Sequence, residues 1–209
     1  MTQHAPLFIV LLPVSAALLC MLFSRIQKNL GSWIVIASIA GAFLSAVSSL
    51  QQVIADGGKP IHYWMGNWQP PLGIEFVIDP ISGALAVLIT FIALLGSLYS
   101  LPFVKEEGWL HIGGYYTLYG LMTVGMCGMV ITGDVFNLYV FLEVMSLSGY
   151  GLIAIGGKKS MLAAFRYLLI GTIGASLYLL GVGYMYALTG TLNMADMAVR
   201  AAQFLNYPL

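Results

Sequence analysis

Six long apolar stretches occupy most of this chain, and they restrict it to a fold that crosses a membrane. A helix needs roughly 20 apolar residues to span the hydrocarbon of a bilayer. Of the 209 residues, 60% are hydrophobic and 8% are charged, whereas soluble domains carry about 25% charged residues. The stretches are residues 6–24, 31–54, 80–103, 113–132, 135–155 and 161–188. We therefore predict an all-α, multi-pass membrane protein with about six transmembrane helices.

The segment after the last stretch differs in composition. Residues 189–209 include Asn193, Asp196, Arg200 and Gln203. Polar side chains at these positions indicate a short amphipathic segment on the surface rather than a seventh span.

Basic residues predict the orientation of the chain, since Lys and Arg accumulate in cytoplasmic loops. The loops after the first, third and fifth stretches hold Arg25, Lys28, Lys105, Lys158 and Lys159, and the opposite side holds Lys59 and Arg200. We expect a protein of the cell membrane with its N-terminus outside. The loop 56–78 is then external, and its aromatic residues beside Gly and Pro favour a short hairpin at the membrane interface. Glu75 is expected to be solvated there.

Several functions are disfavoured by what the sequence contains. The net charge is zero, which argues against nucleic acid as a partner. No phosphate loop, dinucleotide fingerprint or Cys/His cluster is present, so we expect neither a metal nor a redox cofactor. His4, His62 and His111 are expected at the surface, and Cys20 and Cys127 as packing residues.

Glu143 is the most informative single residue. It lies within the stretch 135–155, where a carboxylate is costly and marks a candidate functional site. Helical spacing places Tyr139, Ser146 and Tyr150 on its face. A carboxyl group among hydroxyls can be hydrogen-bonded in either protonation state, which suits a proton relay. The alternative is a static pair that locks two helices together.

Arg166 is the one cation inside the sixth stretch. Counted from the turn near Gly157, its depth differs from that of Glu143 by about 7–8 Å. It is therefore a candidate electrostatic partner, directly or through water, that would favour the ionised carboxylate. The alternative is that its side chain extends to the cytoplasmic surface.

Two further acids stand at the beginning of predicted helices. Asp79 precedes Pro80, and Asp134 precedes the fifth stretch. Asp is a favoured N-cap and Pro a favoured first helical residue. We predict helix capping for both acids rather than a role in transport.

Several segments resemble one family of membrane subunits. They are TGDVFNL at 132–138, FLEVM at 141–145, DPIS at 79–82, WQPPLGIE at 68–75 and YMYALTGTLNMA at 184–195. The chain is similar to the antiporter-like family, with the D-type subunit of Mrp cation/proton antiporters as the nearest pattern. The family also includes proton-pumping membrane subunits of respiratory complex I and of membrane-bound hydrogenases.

The resemblance implies roles for particular residues. It implies that Glu143 is a residue of the proton path and that Arg166 stands where the family has a lysine. Because arginine keeps its proton at essentially any pH, Arg166 could act only as a fixed charge. Family members have about fourteen helices, so the resemblance also implies that this chain holds the N-terminal six-helix portion of the fold, ending before a seventh helix.

These observations lead to one expected function and two alternatives. We expect a proton-translocating subunit of a multisubunit Na⁺/H⁺ antiporter of the Mrp type, without a redox site of its own. Its partners are then other membrane subunits, protons, Na⁺ and the lipid bilayer. The first alternative is a proton-pumping subunit of a redox-driven complex, of the NADH:quinone oxidoreductase or hydrogenase type. The second is a non-conducting scaffold subunit.

Overall fold

The computed structural model describes residues 4–27, 29–104 and 109–205, and these residues form seven α-helices and one two-stranded sheet. The helices are α1 (Ala5–Ile26), α2 (Leu30–Ala55), α3 (Pro80–Val104), α4 (Trp109–Ile131), α5 (Val135–Ala154), α6 (Lys158–Thr189) and α7 (Met194–Leu205), and the strands are β1 (Ile61–Trp64) and β2 (Glu75–Ile78). By length and composition, α1 to α6 can cross a membrane. The predicted fold class, with about six spans, is confirmed.

Helices α1 to α4 form the packed part of the molecule. Helix α1 packs against α2 and α4, and α3 packs against α2 and α4. Two apolar clusters fill the space between them, one nearer each end of the bundle. Cys127 lies in the first cluster and Cys20 in the second, and both are buried.

The loop between α2 and α3 forms the predicted hairpin. Strands β1 and β2 pair antiparallel, with Ile61 opposite Ile78 and Trp64 opposite Glu75. An isolated bridge joins Phe76 to Thr132, just after α4. A second bridge joins Asp134 to Asn193, between α6 and α7. The hairpin, the α4–α5 turn and the α6–α7 connection therefore meet at one end of the bundle, called the hairpin end below.

Helices α5 and α6 form an antiparallel pair on the outside of this bundle. Helix α5 packs against α4 on one side and α6 on the other. In α6 the buried residues are Ala164, Ala175, Val182 and Thr189. Most of the α6 surface is thus exposed in this chain, and its packing is limited to one stripe.

Helix α7 lies within the segment predicted to be amphipathic. Met197 is buried, while Arg200 Nη2 and Asp196 Oδ2 form an ion pair of 2.9 Å one turn apart. Residues 206–209, like Lys28 and Lys105 of the orientation argument, fall outside the described ranges.

Candidate proton-transfer site on the α5–α6 pair

Both predicted capping acids stand immediately before a helix. Asp134 Oδ1 accepts a hydrogen bond of 2.7 Å from the backbone N–H of Asn137. Asp79 Oδ1 accepts one of 2.7 Å from the N–H of Ser82, whose hydroxyl accepts from the N–H of Asp79. The bond from the Ser82 N–H lowers the pKa of Asp79 below its ordinary value. Each acid thus satisfies an amide in the first turn of its helix.

Helix α5 has two opposite faces that contact different neighbours. Phe141 and Met145 lie against α4, where Gly128 and Gly125 leave no room for a side chain. Tyr139 and Tyr150 lie on the other side, because each contacts an aromatic ring of α6. The α5 sequence therefore divides into an α4-facing stripe and an α6-facing stripe.

Two aromatic pairs set the register of α5 against α6. The rings of Tyr139 and Tyr178 stack at 6.3 Å with an interplanar angle of 6°. Tyr150 and Tyr167 meet edge to face at 4.7 Å. In an antiparallel pair with these contacts, the level of Glu143 on α5 corresponds to that of Gly174 on α6.

Glu143 and Ser146 lie in the α6-facing stripe between the two tyrosines. Residues four, three and four positions apart repeat on one side of an α-helix, so Tyr139, Glu143, Ser146 and Tyr150 form a continuous column. Glu143 is half-buried, while Tyr150 is 7% exposed. A Cβ at Gly174 would meet no atom within 4 Å. Gly174 is exposed, so this open space lies on the outer surface of α6, and the column is most buried near Tyr150.

The structure does not bring Arg166 to Glu143. Arg166 is exposed, and the register places it level with Gly151, about two turns or 12 Å along the axis from Glu143. It directly precedes Tyr167, so a rotation of about 100° per residue directs it away from the α5-facing stripe. Among the described residues, neither a hydrogen bond nor an ion pair joins Glu143 to Arg166, Tyr139, Ser146 or Tyr150. The difference in depth between Arg166 and Glu143 is therefore larger than the value of about 7–8 Å obtained by counting residues from the turn near Gly157.

The expected solvation of Glu75 is wrong. Glu75 is 5% exposed, and its Oε1 accepts a hydrogen bond of 2.6 Å from Asn193 Nδ2. His62 Nδ1 lies 3.2 Å from Oε2, and His62 itself is half-exposed, as expected of a surface histidine. The burial arises because the α4–α5 turn and the α6–α7 connection cover β2. The sequence signal is a lone carboxylate at the start of an otherwise apolar strand, β2 (Glu75–Ile78), but its partner Asn193 lies more than a hundred residues away.

A metal site is not formed by the described side chains. Within residues 4–27, 29–104 and 109–205, no group of three or more His, Cys, Asp or Glu side chains could hold an ion.

Known proteins resemble this chain in both sequence and fold. Residues 132–208 match the family profile described as "NADH:quinone oxidoreductase/Mrp antiporter, TM". The chain is 43% identical, over all its 209 residues, to the N-type subunit of the NADH-quinone oxidoreductase of Desulforudis audaxviator, and it covers 42% of that protein. It is 32% identical over 195 residues, 93% of its length, to the D-type subunit of the Na(+)/H(+) antiporter of Bacillus subtilis and covers 38% of it.

Two solved structures share the fold. A chain of the membrane-bound sulfane sulfur reductase, an archaeal respiratory membrane complex, superimposes with a TM-score of 0.87 at 33% identity. That match covers 94% of this chain and 40% of the other. A chain of the Mrp complex from Dietzia sp. DQ12-45-1b gives a TM-score of 0.78 at 25% identity, over 98% of this chain and 40% of that one.

The helices and the carboxylate within α5 define a multi-pass α-helical membrane protein with an ionisable group inside a spanning helix. The chain belongs to the antiporter-like family of membrane subunits found in NADH:quinone oxidoreductases and Mrp antiporters. It spans about two fifths of the length of the curated relatives that it matches. Relatives occur in multisubunit membrane complexes.

Proposed function

We propose that this chain is part of a proton-translocating membrane subunit and that Glu143 is its proton-binding group. The observation that carries the proposal is the half-buried carboxyl group of Glu143 in the column Tyr139–Glu143–Ser146–Tyr150, which lies on the α6-facing side of α5. An ionisable residue at this depth costs free energy, so its presence there indicates a function. A carboxyl group that is not held in a static ion pair can accept and release a proton when its surroundings change.

The neighbouring residues have supporting roles in this proposal. Tyr139, Ser146 and Tyr150 supply hydroxyl groups that can line a hydrated path on either side of Glu143. Arg166 acts on the carboxylate as a distant fixed charge rather than as a contact partner. At about 12 Å and an effective dielectric of about 20, such a charge contributes about 1 kcal/mol.

The orientation belongs to the same proposal. Lys158 and Lys159 begin α6, and Arg25 lies in the last turn of α1, at the end of the bundle opposite the hairpin. Since Lys and Arg favour cytoplasmic loops, we place the hairpin end and the N-terminus outside the cell membrane. Protons bound at Glu143 then move between this external end and the cytoplasm.

We place this subunit in a Mrp-type Na⁺/H⁺ antiporter, in line with relatives named as D-type antiporter subunits. The second candidate is a redox-driven proton pump whose cofactors belong to other chains. It is favoured by the 43% identity with the N-type subunit of an NADH-quinone oxidoreductase and by the TM-score of 0.87 with a respiratory complex. The same role of Glu143 applies in both.

The test is the substitution Glu143→Gln in the native complex. Glutamine keeps the size and hydrogen bonding of the side chain but cannot exchange a proton, so we expect at least about a tenfold loss of transport. The measurement is the cation-induced collapse of a preformed pH gradient in everted membrane vesicles.

Two controls separate transport from assembly. Glu143→Asp keeps an ionisable group in the column and should retain a substantial part of the rate. The amount of assembled complex should be the same for wild type and both variants. Normal transport by Glu143→Gln would refute the role of Glu143, and loss of assembly without loss of specific rate would favour a scaffold subunit.

A further inference from the structure

Glu75 is a buried carboxylate that the proposed proton site does not use. Its side chain is 6% exposed, although it belongs to a two-stranded hairpin at the end of the bundle. Burying a carboxylate costs much free energy unless it is hydrogen-bonded. The contacts of Glu75 therefore indicate why a carboxylate is accommodated at this position.

Glu75 touches three separate connections of the chain. Its Oε1 accepts a hydrogen bond of 2.6 Å from Asn193 Nδ2, in the α6–α7 connection. Its Oε2 lies 3.2 Å from His62 Nδ1, on β1 of its own hairpin. Its main-chain oxygen accepts a hydrogen bond of 3.0 Å from the N–H of Gly133, in the α4–α5 turn. These four residues are called the Glu75 clamp below.

The clamp holds the end of α6 against the beginning of α5. Val135, the first residue of α5, donates its N–H to Leu192 O at 2.9 Å, and Met194 donates to Gly133 O at 2.9 Å. Gly133 is pressed against β2, because a Cβ there would lie 3.0 Å from Glu75 Cγ and 2.9 Å from Val77 Cγ2. A displaced Glu75 side chain would therefore press on Gly133 and Asn193, which stand next to these main-chain hydrogen bonds.

Beyond this end of the bundle, α5 and α6 also pack against each other within this chain. The two aromatic pairs fix the register, while much of α6 is exposed. We propose that Glu75 is a positioning residue for Glu143: its clamp fixes how α5 and α6 lie against each other at the carboxyl group. This inference rests on the proposed function of Glu143.

Asn193 provides the sharpest way to test the clamp. Its Nδ2 donates to Glu75, while its Oδ1 accepts a hydrogen bond of 3.0 Å from the Asp196 N–H at the start of α7. Asn193→Asp keeps the acceptor for α7 but sets two carboxylates against each other. Adding Glu75→Gln restores the hydrogen bond with donor and acceptor exchanged, and the Gln oxygen can still accept from His62.

The experiment compares Asn193→Asp, the double variant Glu75→Gln/Asn193→Asp and Asn193→Ala in the native complex. Asn193→Ala removes the hydrogen-bond donor without placing a second negative charge beside Glu75. It replaces Asn193→Asp in the comparison with wild type if Asn193→Asp does not assemble. Asp56→Asn, an exposed acid in the same loop, is the matched control. One measurement is transport per assembled complex. The other is the distance between spin labels at the exposed positions Val140 on α5 and Leu180 on α6, with Cys20 and Cys127 replaced.

We expect Asn193→Asp to lower transport roughly tenfold and to shift or broaden the label distance, since an unpaired buried charge is strongly unfavourable. The double variant should recover transport to within about threefold and restore the distance, as coupled pairs do in double-mutant cycles. Because transport is measured per assembled complex, a variant that only lowers the amount of assembled complex would leave this rate unchanged. Asp56→Asn should change neither measurement.

Three results would overturn the inference, and they differ from one another. A double variant no better than Asn193→Asp refutes the exchanged hydrogen bond. If Glu143→Gln abolishes transport but the single Asn193 variants change neither the label distance nor transport, or only one of the two, the positioning role of Glu75 is refuted and the role of Glu143 stands. Normal transport by Glu143→Gln removes the proposed function and this role of Glu75 with it, even if the label distance changes.

Discussion

Gly171 and Gly174 lie about one turn apart on α6 and have opposite surroundings. A Cβ at Gly171 would collide with the hydroxyl oxygen of Tyr150 and would lie 2.9 Å from its Cζ, whereas one at Gly174 would meet nothing within 4 Å. The tyrosine hydroxyl therefore sits where α6 lacks a side chain. At this scale, the fit of Tyr150 against α6 depends on Gly171, while Gly174 lies on the exposed surface of α6.

We expect Gly171→Ala to lower the stability of the protein by about 1–3 kcal/mol, the usual cost of overpacking. Gly174→Ala should be neutral or slightly stabilising, because alanine is the better helix former. The measurement is the thermal unfolding midpoint of the detergent-solubilised protein. Combining Gly171→Ala with Tyr150→Phe should recover part of the loss, and equal effects of the two glycine substitutions would contradict the proposed contact.

At the residue scale, the sequence predicts which side chains share a face of a single helix, whereas the role of those side chains stays a prediction. The column through Glu143 follows from spacing within one helix, and the structure places Tyr139 and Tyr150 on the same side of α5. Prediction from the sequence failed for Glu75, because the burial of that carboxylate depends on Asn193, which is distant along the chain. The separation of Arg166 from Glu143 was underestimated because the helices are shifted relative to a symmetric turn.

At the scale of elements, the α5–α6 pair is defined by its register. The contacts Tyr139–Tyr178 and Tyr150–Tyr167 fix which residues share a level. One helical turn of slippage would move Gly174 away from Glu143 by about 5.4 Å. The surroundings of the carboxyl group thus depend on the pair of helices and on neither helix alone.

This register predicts the cross-linking of paired cysteines. In a background without Cys20 and Cys127, Tyr139→Cys with Tyr178→Cys should react with a short bis-maleimide. Tyr139→Cys with Tyr167→Cys should not, because the two positions differ by about 16 Å along the axis. The measurement is the gel mobility of the polypeptide after proteolysis between α5 and α6. Efficient linking of the second pair would refute the register.

At the scale of the whole molecule, helices α1 to α4 and helix α6 differ in how much of their surface is buried within this chain. Helices α1 to α4 bury two apolar clusters, whereas α6 leaves most of its surface uncovered by this chain. The chain also spans about two fifths of its curated relatives. The proposed assembly would cover the exposed side of α6 with further membrane helices.

The proposed antiporter assembly predicts the composition of that complex. Mass spectrometry of the mildly solubilised native complex should identify multi-span partner chains without redox centres. It should also give the intact mass of the polypeptide that contains this sequence. Partners that carry flavin, iron–sulfur or nickel centres would contradict the Mrp-type assignment and establish the redox-driven candidate instead.

The sequence by itself determined the six helices, the hairpin between α2 and α3, and the column through Glu143. These features depend on local rules: apolar length relative to bilayer thickness, turn composition and the helical repeat. The tertiary structure alone decided the burial of Glu75, the level of Gly174 opposite Glu143 and the separation of Arg166 from it. These depend on how distant segments pack and on the shift between antiparallel helices, and the spacing of residues along one segment does not specify either.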